Sequence, residues 1–198
     1  MTANVVSYLL SNKAPEISLK YQIAFQCAPF LKRVKLASMI NIDQSLCVEL
    51  PGVLKGTDIS FKILGIKDNN CRILFYREKE FRKYITCYEY MELLKSCGYQ
   101  HQDVSSILTR LSERMQLALN SIDDFPHEIG IFLGYPIEDI KSFIMYKGKQ
   151  YLTTGYWKVY NNLMKATIVF SSYDYAKVIA VNEVLMGKGI NEIAVMEL

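Results

Sequence analysis

With 198 residues, 51% of them hydrophobic and 22% charged, the chain has the balance of an ordinary globular protein. A chain of this length buries about 70% of its unfolded surface and needs no disulfide or metal staples. A net charge of +3, from 23 basic and 20 acidic residues, is too mild to argue for nucleic acid, and no aromatic stacking motif is framed by Arg and Lys.

Read in chain order, residues 17–28 form a helical pattern, with Ile17, Tyr21, Ala24 and Cys27 or Ala28 on one face. Pro29 ends or kinks it. Residues 31–40 read as a second helical piece, and Pro51-Gly52 signals a turn. Ile59, Phe61 and Ile63 alternate with Ser60 and Lys62, as in a half-buried strand. Asp68-Asn69-Asn70 turns into a second strand over 71–77, giving a hairpin of open turn type with Arg77 at its end. Helices are expected at 80–85, at 88–97 with a stop at Gly98, and at 104–119 with Asp103 as cap. In the last, Val104, Ile107, Leu108, Leu111, Met115 and Leu119 follow the 3.6-residue period. Residues 80–120 are a candidate helical subdomain.

The densest signals lie between 123 and 160. Pro126 and Gly134 bracket Ile129-Gly130-Ile131-Phe132-Leu133, which reads as a strand buried on both faces. His127 and Glu128 would stand at its entry, on opposite faces. Pro136, Glu138 and Asp139 open a helix that Lys147 and Gly148 close, with Ile137, Ile140, Phe143 and Ile144 as its apolar stripe. Residues 151–160 read as a strand, with Trp157 and Val159 on one face and Tyr156, Lys158 and Tyr160 on the other. A long helix over 162–186 ends at Gly187 and Gly189, and 190–196 is read as a last strand. The fold class implied is α/β or α+β, a single compact domain of four to five strands with flanking helices.

No apolar run approaches the ~20 residues of a membrane span, so no membrane partner is expected. Residues 1–16 have no basic start and no long apolar stretch, unlike a signal peptide. Five scattered cysteines, at 27, 47, 71, 87 and 97, then read as reduced thiols in a cytoplasmic protein.

Several words of the sequence resemble an uncharacterised bacterial family, the domain of unknown function numbered 3793. They are Phe125-Pro126-His127-Glu128-Ile129-Gly130, Phe132-Leu133-Gly134-Tyr135-Pro136 with Glu138-Asp139, and Gly155-Tyr156-Trp157-Lys158-Val159-Tyr160. Ala166, Phe170 and Tyr173 follow in the long helix; upstream, Cys27-Ala28-Pro29 with Leu31, Lys35 and Ala37, then Tyr76-Arg77 and Gly98-Tyr99, also match. The resemblance covers about residues 20–175. Where the family often has His before Cys-Ala-Pro this chain has Gln26, and where it often has Cys before Gly-Tyr-Trp it has Thr154. The family brings no reaction with it.

Three readings of function remain. The first is a small-molecule-binding or regulatory domain in which Arg77, Tyr156, Lys158, Tyr160 and Lys35 receive an anionic or aromatic ligand. The second is a cysteine hydrolase or acyltransferase with Cys27 as nucleophile and His127 as base, oriented by Glu128 or Asp139, with Gln22 as oxyanion donor. A core thiol and a structural histidine account for the same pair. The third is an interaction module, with a homodimer as one form. Cys87, Cys97, His101 and His127 lack metal-ligand spacing, and neither the Rossmann nor the P-loop glycine pattern occurs, so no metal site is expected and no cofactor is indicated.

Overall fold

The computed structural model describes residues 14–100, 103–120 and 125–194. The expectations for His101, for the loop at 123–124, for residues 1–13 and for the end of the 190–196 segment lie outside these.

Helix α1 (Pro15–Gln26) carries Pro in its first turn and ends at Cys27, whose N–H reaches the Ile23 carbonyl at 2.8 Å. Pro29 sits in the first turn of a second short helix, α2 (Ala28–Leu31), where a missing N–H costs nothing. The helical piece expected over 31–40 is not there. Arg33 takes a left-handed φ of 58°, and the chain enters strand β1 (Ala37–Asp43). Its cue was the period of two in which buried Ile40 and Ile42 alternate with exposed Asn41 and Asp43. A 3₁₀ turn (Gln44–Glu49) and helix α3 (Leu50–Val53) follow, so Pro51-Gly52 lies within a helical turn.

Strands β2 (Ser60–Lys67) and β3 (Asn70–Tyr76) form the expected hairpin. Its loop is two residues long, Asp68 and Asn69, with φ of 48° and 61°. Positive φ at both positions is the primed turn that matches strand twist, and Asp and Asn tolerate it. The antiparallel sheet has the order β1-β3-β2. A bulge between Ile63 and Gly65 interrupts β2. Helices α4 (Glu78–Ile85), α5 (Tyr88–Ser96) and α6 (Val104–Asn120) lie where their apolar periods place them, and the Asp103 carboxylate accepts the Ser106 N–H. Gln116 on α6 bonds both the N–H and the carbonyl of Ile66, at 2.9 and 3.1 Å, which covers the edge of β2.

The three-stranded sheet divides two apolar cores. On one face Ile40, Ile42, Cys71, Ile73 and Phe75 pack with α1, α2 and Ala180 and Val184. On the other, Ala37, Leu64 and Leu74 pack with residues of α4, α5 and α6. Into this second core goes the run 129–133, which is a short helix, α7 (Ile129–Phe132), and not a strand. All four of its residues are buried, so hydrophobic periodicity carries no information there. Helix α8 (Ile137–Met145) forms as expected. The strand expected over 151–160 shrinks to a two-residue hairpin, β4 (Thr153–Thr154) with β5 (Lys158–Val159). Helix α9 (Leu163–Leu185) starts at Asn162, whose side chain accepts the Lys165 N–H. Residues 190–193, expected as a strand, form a helical turn, α10 (Ile190–Ile193). The architecture is a compact α+β arrangement with strands in two sheets, among the described residues.

Candidate functional site

The turn at 125–128, helix α8 and the β4–β5 hairpin enclose a cavity of about 280 Å³. Phe125, Tyr135, Phe143 and Trp157 supply its aromatic walls, and Ile129 and Ile140 supply aliphatic surface. His127, Thr154, Asp139 and Lys158 are the polar residues on it. The Phe-Pro-His-Glu turn and the Gly-Tyr-Trp-Lys ribbon are therefore neighbours across one space.

Asp139 holds the two halves together. Placed in the first turn of α8 and buried, it accepts the Trp157 indole N–H at 2.8 Å through Oδ2. Its Oδ1 accepts the backbone N–H groups of Tyr160 and Asn161 at 2.9 and 3.0 Å, and the Asn161 amide at 3.1 Å. A carboxylate so engaged has its lone pairs committed, and it fixes the indole as a wall. On the far side of the hairpin a Cβ at Gly155 would lie 2.3 Å from the Phe170 ring, so only glycine lets that ring approach. Phe170 in turn packs edge-on against Trp157, with ring centroids 4.6 Å apart.

Lys158 lies between aromatic rings, its ammonium 4.7 Å from the Tyr151 centroid and 5.6 Å from that of Phe143. Among the described residues it donates one hydrogen bond, to the Gly148 carbonyl at 2.7 Å. An ammonium has three donors, so two remain for another acceptor. His127 is exposed, its ring set between Phe125 and Phe143 with centroids at 5.6 and 4.9 Å. Of the candidate site residues singled out from the sequence, these two and Asp139 meet on the aromatic cavity.

The others lie elsewhere. Arg77 is buried at the N-cap of α4 and donates to Asp58 at 2.9 Å and to the Phe30 and Leu31 carbonyls at 2.8 and 3.3 Å. It closes the C-terminal end of α2, with its guanidinium 4.5 Å from the Phe30 ring centroid. Lys35 and Arg77 share a second cavity with Arg33 and Glu80. Burial pushes the Lys35 ammonium down to about 8; the Cys27 thiol opposes this and Lys177 adds to it. Tyr156 donates to Asp174 at 2.6 Å and packs on Phe170 and Tyr173, with the Lys177 ammonium over its ring. The Tyr160 hydroxyl is buried, with no hydrogen-bond partner among the described residues, beside the rings of Phe143 and Tyr146.

The proposed nucleophile and base are not joined. Cys27 has no exposed surface and packs in the core of α1, α2 and the sheet. Burial pushes its thiol up to about 12, against the lowering effects of Ser38 and Lys35. His127 stands exposed on the aromatic cavity, and among the described residues no hydrogen bond connects the two. Glu128, expected as the orienting acid, is buried and accepts from the Tyr99 hydroxyl at 2.9 Å and from Arg114 at 2.6 Å. It ties the turn at 125–128 to α6. Among the described residues no group of His, Cys, Asp and Glu is placed to hold a metal, and no helix is long and apolar enough to cross a membrane.

Sequence reasoning missed Phe125, Tyr135, Phe143 and Thr154 as cavity residues. Phe143 was visible only as one member of the apolar stripe of α8. The stripe has two destinations: Ile140 is buried, while Phe143 and Ile144 reach the cavity rim and solvent.

A model of the family described as a protein of unknown function, DUF3793, matches residues 23–194. The chain belongs to this family. The match begins in the last turn of α1 and takes in the sheet, the aromatic cavity and the helices through α10. No curated protein and no solved structure matches the DUF3793 chain.

Proposed function

We propose that the protein binds a small planar molecule bearing an anionic group, in the cavity between α8 and the β4–β5 hairpin, as a ligand-binding or regulatory domain. One observation carries this reading: a cavity walled by four aromatic rings has a single ammonium, that of Lys158, on its lining, with donors to spare. Apolar cavities with few convergent polar groups are the usual form of ligand sites, and this one is at the small end of their range, roughly 300 Å³. Rings of Phe143 and Trp157 offer stacking surface, Lys158 offers charge, and the Thr154 hydroxyl and His127 ring offer further hydrogen bonds. The buried, high-pKa thiol of Cys27 lends no support to the hydrolase reading.

The test uses the only tryptophan as reporter, since Trp157 lines the cavity. Titration with benzoate and phenylacetate, each against its neutral amide, is read by Trp157 fluorescence and by thermal shift. The carboxylates are expected to bind about tenfold more tightly than the amides, the worth of one charge-assisted hydrogen bond. Lys158→Met removes that difference and leaves the amide affinity in place. Equal binding of acid and amide by the unsubstituted protein, or no binding of either, overturns the reading.

A further inference from the structure

Helix α9 has two apolar faces. Ala166, Tyr173, Ala176, Ala180 and Val184 are buried against the rest of the chain. On the opposite side Met164, Ile168, Tyr175, Val178 and Leu185 stand exposed, Met164 by 75%, Ile168 by 66% and Val178 by 59%. Ser171 and Asn182, also exposed, complete the series. The steps between successive members, from 164 to 185, alternate between four residues and three. That is the a/d spacing of a coiled-coil seam, and the surface it forms fits another helix of the same repeat. Leu163 and Met186, also exposed, extend the face to both ends of the helix, and a standard interface takes roughly 800 Å² from each partner.

We propose that this face pairs with α9 of a second copy of the chain, antiparallel, in a two-fold symmetric dimer. The sequence of the seam chooses the register. When Tyr175 faces Val178 of the second copy, Ile168 faces Leu185 and Ser171 faces Asn182. Between residues 168 and 185 apolar positions then meet apolar ones and the two polar positions meet each other with donors and acceptors to share, while Met164 lies level with Gly189 of the second copy, past the end of its helix. By symmetry each layer occurs twice, as an isologous interface requires. The antiparallel sense also places Lys165, in the first turn of α9, beside the carbonyl end of the partner helix. A parallel pair would set the two Lys165 side chains against one another at the ends where helix dipoles already repel cations.

Sedimentation of the full chain at about 100 μM is expected to give the dimer mass. Ile168→Asp with Val178→Asp, both at exposed positions, is expected to weaken the dimer more than 100-fold and leave the circular dichroism unchanged. The register is tested by Ser171→Lys combined with Asn182→Glu in the same chain. In the antiparallel pair the new charges face each other with opposite sign and the dimer persists; in a parallel pair like charges face and it dissociates. A monomer at that concentration overturns the proposal, whether the face then meets a lipid surface or a different protein. So does a dimer that survives the paired aspartates, and dissociation of the charge-pair variant overturns the antiparallel arrangement.

Discussion

Single residues show how environment, more than residue type, sets chemistry here. Cys27 is a nucleophile by type, but burial raises its thiol to about 12, and thiol reactivity depends on the thiolate. In native protein at pH 8, iodoacetamide is therefore expected to label exposed Cys87 and spare Cys27, as mass spectrometry of the digested protein would show. Labelling of Cys27 at the rate of Cys87 would contradict this. Lys35 carries the reverse effect. Its folded pKa, about 8, lies below the value of about 10.4 for an unfolded lysine. Between these limits the unfolded chain binds the extra proton, so the Lys35 contribution to stability rises with pH across that window. Lys35→Met should raise the melting temperature at pH 7, and its advantage should shrink between pH 8 and 10.5. A constant advantage across that range counts against the shift. Tyr160 holds a buried hydroxyl with no partner among the described residues, so its phenol is a cost without a return there. Tyr160→Phe should leave stability unchanged or raise it by about 1 kcal/mol in urea unfolding; a loss would mean that the hydroxyl has a partner.

At the scale of elements, Asp139 does for the hairpin what no strand ladder can. A two-residue strand pair has little stability of its own, and four hydrogen bonds accepted by one carboxylate hold the 157–161 segment in place. Asp139→Ala strands the indole N–H and two backbone N–H groups, and should cost about 3–5 kcal/mol in denaturant unfolding and abolish the Trp157 response to ligand. A cost below about 1 kcal/mol would show that water replaces the carboxylate readily. The same segment marks how far the sequence could be read. Helices α1, α6, α8 and α9 are visible in the sequence because their apolar periods are long, and in α6 the Asp103 cap agrees with the period. Ile129–Phe132 was read as a strand because a run buried on every side has no period to show. For Asp139 the sequence offers an N-terminal helix charge, a correct placement, or an orienting acid, and neither reading reaches its four donor groups on three residues, all at least 18 residues further along the chain. The aromatic walls of the cavity are hidden in the sequence for the same reason: Phe125, Phe143 and Trp157 lie on three elements, and only the fold brings them to one wall.

For the whole molecule, charges stitch the short helix α2 to distant parts of the chain. Arg77 joins its carbonyl end to Asp58 ahead of β2, and Lys32, just after it, pairs with Glu183 on α9 at 2.5 Å. Lys32 is almost wholly buried, with 2% of its side chain exposed, and an unpaired charge there is costly. Burial pushes the carboxyls of Asp58 and Glu183 up, but Arg33 and Arg77 in one case, and Lys32 and Lys188 in the other, outweigh it and hold both below their ordinary values. A carboxyl depressed in the folded state binds its proton less readily than in the unfolded chain. As pH falls through the ordinary carboxylate range the unfolded state takes up protons first, so the stabilisation is complete above about pH 4.5 and is lost as pH drops toward the folded values. The melting temperature should accordingly be flat near neutrality and fall steeply below about pH 4.5. Glu183→Gln removes part of that acid dependence and, by leaving Lys32 buried without its carboxylate, should cost roughly 3 kcal/mol at pH 7. The two effects have opposite consequences at the two ends of the range, so the curves of variant and parent converge as pH falls toward 3. Parallel curves with a constant offset would mean that Glu183 contributes packing alone, and that the seam between α2 and α9 rests on its apolar contacts.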